Sequence, residues 1–352
     1  MAEGTETTMK RNGTREAARA RRRVGKWGGW VPLALLTLLL GACAQREEAE
    51  DVGAEAALAP DRVEPLPGSP LDTIPGTHWT VRDWQILEEK VRWAAAERLD
   101  TLPLGEGLGR LGETFVGTTY TPATLEAPGE EHLVINLREL DCVTFIENML
   151  AMTWLLRNDG AEILADRAAA MRRYEAYLTA LRYRDGELSG YPSRLHYFSE
   201  WLANNEAKGL MALRTEALGG LLDEEPIVFM SEHRDSYRQL ADDAFFAAIQ
   251  EIEGRLAGQP RYYIPENRIR EVEQGIQNGD IIAATSTLDG LDVAHTGIAF
   301  WHEGRLHLLH APLVGKTVEL SELPLAERIQ EISGQDGIMV ARPLEWPGER
   351  AR

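Results

Sequence analysis

Cysteine is nearly absent: the 352 residues hold only Cys43 and Cys142. One bridge at most can form, which excludes a disulfide-framed fold. Positive charge is also short, with 37 Lys and Arg against 56 Asp and Glu and a net charge of -19. The shortage is uneven, because residues 1–42 carry a local +5 and the remainder -24. A body this acidic lacks the cations that phosphates reward, so nucleic acid is excluded as a partner. No apolar run reaches the ~20 residues of a comfortable membrane-spanning helix, which excludes a multi-span membrane protein. Neither Cys-x-x-Cys nor His-Glu-x-x-His occurs, so no metal and no cofactor is expected. What remains is ordinary, with 44% hydrophobic and 26% charged residues. That is the balance of a folded chain, long enough for one large domain or two small ones.

The positive charge that exists is concentrated at the start. Arg19, Arg21, Arg22, Arg23 and Lys26 precede the apolar run Trp30–Leu40, which ends at Gly41-Ala42-Cys43. A basic region, a short apolar core and small residues compose a secretory leader, here residues 1–42. Leu40-Gly41-Ala42-Cys43 resembles the bacterial lipobox, in which the cysteine is lipidated and becomes the new N-terminus. The resemblance implies a lipid anchor on Cys43, and Ala rather than Asp at position 44 implies the periplasmic side of the outer membrane. Residues 44–76 follow, rich in Ala, Glu and Pro and without an apolar period. They read with Cys43 as a solvated tether, spanning roughly 30 Å on average. A lipidated Cys43 cannot pair with Cys142, and a lone thiol in an oxidising compartment is a liability unless buried or used.

Folding is expected over residues 77–346, with 347–352 as a tail. Trp84, Leu87, Val91 and Ala94 fall at helical spacing, so 80–99 reads as an amphipathic helix. Further helices are expected over 143–157, 161–183, 193–205 and 235–256. After Gly279 the pattern changes to short strand-like runs at 280–284, 294–301, 306–311, 317–320 and 338–342, interrupted by one helix at 323–332. Helices first and a meandering antiparallel sheet afterwards indicate an α+β fold.

Leu140-Asp141-Cys142-Val-Thr-Phe-Ile-Glu-Asn148 places a thiol at a helix start. Free N–H groups and the positive end of the helix dipole stabilise a thiolate there, so a lowered thiol pKa is expected, and Asp141 is a candidate cap. The competing reading is a small core hydrophobe. The histidines offer a base. His295 lies in Asp292-Val-Ala-His295-Thr-Gly-Ile, and His307 and His310 in Leu306-His-Leu-Leu-His310, with Glu303-Gly304 between. A two-residue turn there sets Trp301 opposite Leu306 and Gly297 opposite His310. His295 and His310 then share a face as diagonal neighbours, while His307 points the other way.

A nucleophile, a base and a group orienting that base are the parts of a cysteine hydrolase. This order resembles the NlpC-type cell-wall peptidases, whose fold is papain-like. A closer resemblance is to the N-acetylmuramoyl-L-alanine amidase-like family of that superfamily. It is carried by Leu140–Glu147, Tyr191-Pro-Ser-Arg-Leu-His-Tyr-Phe198, Gly279-Asp-Ile-Ile282, Leu291–Ile298, Leu306–Ala311 and Gly337–Pro343. Ala294 and Ala311-Pro312 depart from the pattern. The resemblance implies an enzyme acting on peptidoglycan, with Cys142 as nucleophile, His295 as base and His310 as third member. Within the Tyr191–Phe198 stretch, Tyr191, Ser193 and Arg194 stand as candidate substrate contacts beside a purely structural reading. Trp301, Trp201 and Tyr197 are core residues or the lining of a sugar cleft. Two readings compete: a non-catalytic cell-wall-binding lipoprotein on the same fold, and a lipid acyltransferase. A zinc site built from Cys142, His295 and His310 would need a fourth ligand or an open position for water.

Overall fold

The computed structural model describes residues 73–127, 129–313 and 317–348. Cys43, the leader and nearly all of the tether lie outside the described residues. Order starts ahead of residue 77: Ile74 is buried and its N–H donates to the Trp79 carbonyl at 2.8 Å.

Helix α1 (Val81–Ala96) begins where Thr80 caps it by accepting from the Asp83 N–H. Its apolar stripe, Trp84, Leu87, Val91 and Ala94, is buried as the spacing demands. Helix α2 (Leu104–Glu113) was not expected, because its four glycines each cost about 1 kcal/mol of helix propensity. Packing overrides that cost. A Cβ on Gly105 would stand 2.0 Å from the Asn278 carbonyl oxygen, and one on Gly112 would meet Leu309 and Phe145. Glycine is what lets α2 lie directly on the segment entering the sheet.

Helix α3 (Cys142–Trp154) is buried on every side from Thr144 onward, in the manner of a central helix. Helix α4 (Arg167–Arg182) starts later than its apolar pattern, because Asp166 caps it and residues 161–165 form a separate 3-10 turn. The two helices are tied by a buried ion pair. Arg182 Nε donates to Glu147 Oε2 at 2.8 Å, and Trp201 Nε1 donates to Glu147 Oε1 at 3.1 Å. Removing either charge would strand the other in the core, at a cost of about 3–5 kcal/mol. Tyr174 donates to Asn148, one residue further along α3. Helix α5 (Phe198–Ala207) begins five residues after its expected start, since Tyr191–Ser193 is one 3-10 turn and Arg194 pairs in extended form with Tyr183. Helix α6 (Asp243–Leu256) starts at its Asp242 cap, eight residues late.

The short strands β1 (Thr119–Tyr120) and β2 (Glu139–Leu140) pair in parallel just ahead of α3. The main sheet joins β3 (Met211–Leu213), β4 (Leu221–Asp223), β5 (Arg261–Pro265), β6 (Ile281–Ser286), β7 (Val293–His302), β8 (Arg305–His310), β9 (Glu319–Leu320) and β10 (Gln335–Pro343). Its order is β4-β5-β10-β6-β7-β8-β9, with β3 also on β10, and its pairs are antiparallel. The late strands fall close to where alternation put them, while β1 to β5 are short and went unread. One face of the sheet packs Ile281, Ala283, Ile298 and Leu309 against α2 and α3, and α1 and α4 pack in turn against α3. The other packs Ile282, Ala284, Ala299 and Leu308 against α7 (Leu325–Glu331).

Candidate active site

The thiol is placed by its helix cap. Asp141 Oδ1 accepts from the Val143 and Thr144 N–H groups at 3.1 and 2.7 Å, and Thr144 Oγ1 accepts from the Asp141 N–H at 2.9 Å. This is a reciprocal capping box. It corrects one expectation, since two of the free N–H groups expected to stabilise a thiolate at this helix start are taken by the cap. The Cys142 N–H bonds no other residue among the described ones and helps stabilise its own thiolate.

Strand β7 is locked to this helix start. Thr296 Oγ1 donates to the Cys142 carbonyl at 2.9 Å, and both the side chain and backbone of Thr296 favour the Cys142 thiolate. His295 immediately precedes Thr296. The β6–β7 register slips between Ala284 and Thr285, so Ala294 is an extra residue bulged out just ahead of His295. A bulge re-aims the side chain next to it, which gives the departure at Ala294 a structural meaning.

The β7–β8 hairpin turns through Glu303 and Gly304, at φ values of 50° and 78°, and Trp301 pairs with Leu306. That is the two-residue turn read from the sequence. His295 Nε2 and His310 Nδ1 are 2.8 Å apart. Gly297 keeps the pair close: a Cβ there would stand 2.9 Å from His310 Cβ. On its other side His310 Nε2 lies 3.7 Å from Glu319 Oε1, on β9. His307 is directed elsewhere, with its Nδ1 2.8 Å from the Ser321 carbonyl.

The electrostatics differ from the expected thiolate. Burial, with a smaller contribution from the Asp141 carboxylate, pushes the Cys142 thiol up to about 11, outweighing the hydrogen bonds from Thr296. Burial and the Arg328 guanidinium push His295 down to about 3. Burial, His295 and Arg328 hold His310 well below the usual imidazole range. At neutral pH the resting site is therefore a thiol and two neutral imidazoles. Neutrality also orders the protons. If His295 Nδ1 is to accept a proton, its Nε2 carries hydrogen and donates to His310 Nδ1, and His310 Nε2–H then faces Glu319.

This gives an expected pH profile. The base form of His295 is lost only as pH falls toward about 3, so kcat/KM should be flat from about pH 5 to about pH 9. An acid limb centred between 6 and 7, measured with a substrate that does not titrate there, would show that His295 rests in a different state.

Tyr120 escaped the sequence reading. Burial and the charges of Cys142 and Asp141 hold its phenol well above the usual range, so it stays a donor beside the thiol. No spacing signal marks it, because β1 is two residues long and far from α3 in sequence. Of the candidate substrate contacts, Arg194 is buried and donates to the Leu125 carbonyl at 2.9 Å and to Glu126 Oε1 at 2.5 Å. Ser193 Oγ donates to the Gly190 carbonyl at 2.7 Å, and Tyr191 is buried beneath the Arg194 guanidinium. Trp201 and Tyr197 are buried too, with Tyr197 donating to Glu253 Oε1 at 2.6 Å. Trp301 borders a cavity of about 490 Å³, beside Gln277 and Asn278. Among the described residues no group of three His, Cys, Asp or Glu is placed to hold a metal ion.

Helices packed on an antiparallel sheet define a mixed α/β protein, in which the start of the Cys142 helix is tied to the strand that carries His295. A family model described as AmiA-like, N-acetylmuramoyl-L-alanine amidase-like, matches residues 110–338, and the chain belongs to that family. It is similar to a crystal structure of an N-acetylmuramoyl-L-alanine amidase from Bacteroides uniformis, at 35% identity and a TM-score of 0.62, over 68% of this chain and 98% of that one. A Bacteroides fragilis protein named as a candidate xylanase is 36% identical with a TM-score of 0.61, over 66% and 98% of the two chains. A Legionella pneumophila protein at 19% identity and a TM-score of 0.53 shares the fold, over 74% and 95%. No curated protein sequence matches.

Proposed function

We propose that the protein is a bacterial lipoprotein with a papain-like domain that hydrolyses an amide bond in peptidoglycan by a Cys142–His295–His310 triad. The observation that carries the reading is the 2.8 Å bond between His295 Nε2 and His310 Nδ1, next to the strand residue that grips Cys142. It leaves His295 Nδ1 free to act as base. The Cys142 sulfur attacks the carbonyl carbon as its proton passes to His295 Nδ1. The C–N bond then breaks, the imidazolium returns that proton to the leaving amine, and a thioester remains. Water, deprotonated by the same imidazole, hydrolyses the thioester and restores the thiol. The Cys142 N–H and the Tyr120 hydroxyl are the donors for the oxyanion. Because the resting groups are neutral, the ion pair forms during attack, stabilised through His310 and Glu319.

The test is mass spectrometry of fragments released from purified peptidoglycan. A new free amine and carboxyl at the sugar–peptide bond, or within the stem peptide, is expected. A digest with every amide intact would favour a cell-wall-binding lipoprotein. Cleaved sugar linkages would favour glycoside chemistry, which uses two carboxyl groups across the scissile bond. Asp141, the carboxylate beside Cys142, is engaged in the helix cap. An acyltransferase would call for an apolar surround, whereas the 182–198 stretch supplies buried ion pairs.

Cys43 anchors the domain at the periplasmic face of the outer membrane in this proposal. Cells fed an alkyne fatty acid should label the protein, and Cys43→Ser should lose the label. Label that persists in the variant would sink the lipoprotein reading.

A further inference from the structure

The body carries -24 outside its leader, yet one cavity is lined by cations. It has a volume of about 290 Å³, and its lining includes Arg82, Lys90, Arg138, Thr118 and Thr119, with Glu89 as the one carboxylate. Several of these groups have unused donors. Arg82 is exposed and makes no hydrogen bond or ion pair among the described residues. Arg138 spends its Nε on Asp83 at 3.1 Å, leaving both terminal nitrogens. Lys90 gives one donor to the Thr114 carbonyl at 2.8 Å and stands 3.8 Å from Glu89. The Thr118 and Thr119 side chains donate to no residue among the described ones. Unpaired guanidinium and hydroxyl donors converging on one cavity are a receptor for a carboxylate.

Its place relative to the thiol is fixed by the sheet. The Gly117 N–H donates to the Val318 carbonyl and the Val318 N–H to the Thr118 carbonyl, both at 2.8 Å. Residues 317–320 continue into β9, where Glu319 pairs with His310. The cavity wall thus runs two strand spacings, roughly 10 Å, from the strand of His310. Its next residue, Tyr120, is the phenol whose titration senses Cys142. About three residues of extended peptide bridge such a distance.

We propose that this cavity is a subsite for a free carboxylate on the peptide part of the substrate, with Arg82 and Arg138 as its specificity-determining residues. The inference rests on the amide-hydrolase reading and adds to it a preference for acidic stem peptides. A muropeptide with a free C-terminal carboxylate and its carboxamide are the probes. The KM of the carboxamide should exceed that of the acid by roughly tenfold in the native protein. The ratio should fall to about one in Arg82→Gln and in Arg82→Gln/Arg138→Gln, with partial recovery in Arg82→Lys. A ratio near one in the native protein, or an unaltered ratio in both Gln variants, would overturn the subsite. Failure to cleave either probe would overturn the hydrolase reading instead. Calorimetric titration of both probes into full-length protein then judges the cavity alone, tighter binding of the acid supporting it and equal binding refuting it.

Discussion

Cys142→Ala should leave no measurable amide hydrolysis in a protein that is otherwise folded. The substitution deletes one sulfur atom from a half-buried position, so the change in stability should stay near 1 kcal/mol or below. The cap survives, because Asp141 bonds the backbone of Val143 and Thr144 rather than the thiol. Removing a nucleophile that forms the covalent intermediate costs roughly 10⁶-fold, which places the variant at the assay floor. The thiol should nevertheless look unreactive in the resting protein. With its pKa pushed up to about 11, roughly one molecule in 10⁴ carries thiolate at pH 7. Iodoacetamide should therefore label Cys142 slowly at neutral pH and faster as pH rises toward that value. This reverses what the helix start alone predicts, because burial outweighs the dipole here. Slow alkylation consequently says nothing against catalysis. The decisive pair of measurements is fragment release by mass spectrometry and circular dichroism on the same preparation. Hydrolysis persisting in folded Cys142→Ala would remove the thiol from the mechanism.

What could be read from residues followed how local the cause was. The β7–β8 hairpin was legible because Glu303-Gly304 imposes a two-residue turn, and period-two alternation then fixes which side chains meet. The start of α3 was legible because capping is a matter of neighbours, and Asp141 is adjacent to Cys142. Non-local causes stayed hidden. The glycines of α2 argue against a helix until Asn278, Leu309 and Phe145 are seen pressing on them. The helix start pointed to a lowered thiol pKa, and the buried surroundings that raise it instead come from distant segments. Tyr120, Glu319 and the cavity cations sit on four stretches of chain that the fold alone assembles. The Tyr191–Phe198 stretch shows the reverse limit. Its pattern was recognisable, yet Arg194 and Ser193 are engaged in holding loop and turn geometry. A recognisable motif can be kept by the demands of the fold as readily as by those of chemistry.

His295→Ala should be the most damaging of the histidine substitutions, at roughly 10²- to 10⁴-fold in kcat/KM, since in the proposed mechanism it removes the group that takes and returns the proton. His310 should behave differently because it meets no reacting atom. Its Nδ1 lies 2.8 Å from His295 Nε2, and in the proposed mechanism it accepts the hydrogen bond that fixes the tautomer and the ring plane. Loss of a hydrogen bond that becomes charged during attack is worth about 1.5–3 kcal/mol, so His310→Ala should cost roughly ten- to a hundredfold. His310→Asn should fall between Ala and the native residue, because an amide oxygen can still accept that bond. It cannot pass charge on toward Glu319, so full activity is not expected. His307 supplies the control. It is buried on the opposite face, bonded to the Ser321 carbonyl, and its removal should lower Tm while leaving the rate per folded molecule intact. Initial rates on one muropeptide, with the folded fraction measured for each variant, separate these roles. If folded His307→Ala were as inactive as His295→Ala, the base would not be the residue that the hairpin pairs with His310. If His310→Ala matched the native rate, the 2.8 Å bond would be a feature of packing, and His295 would hold its tautomer without help.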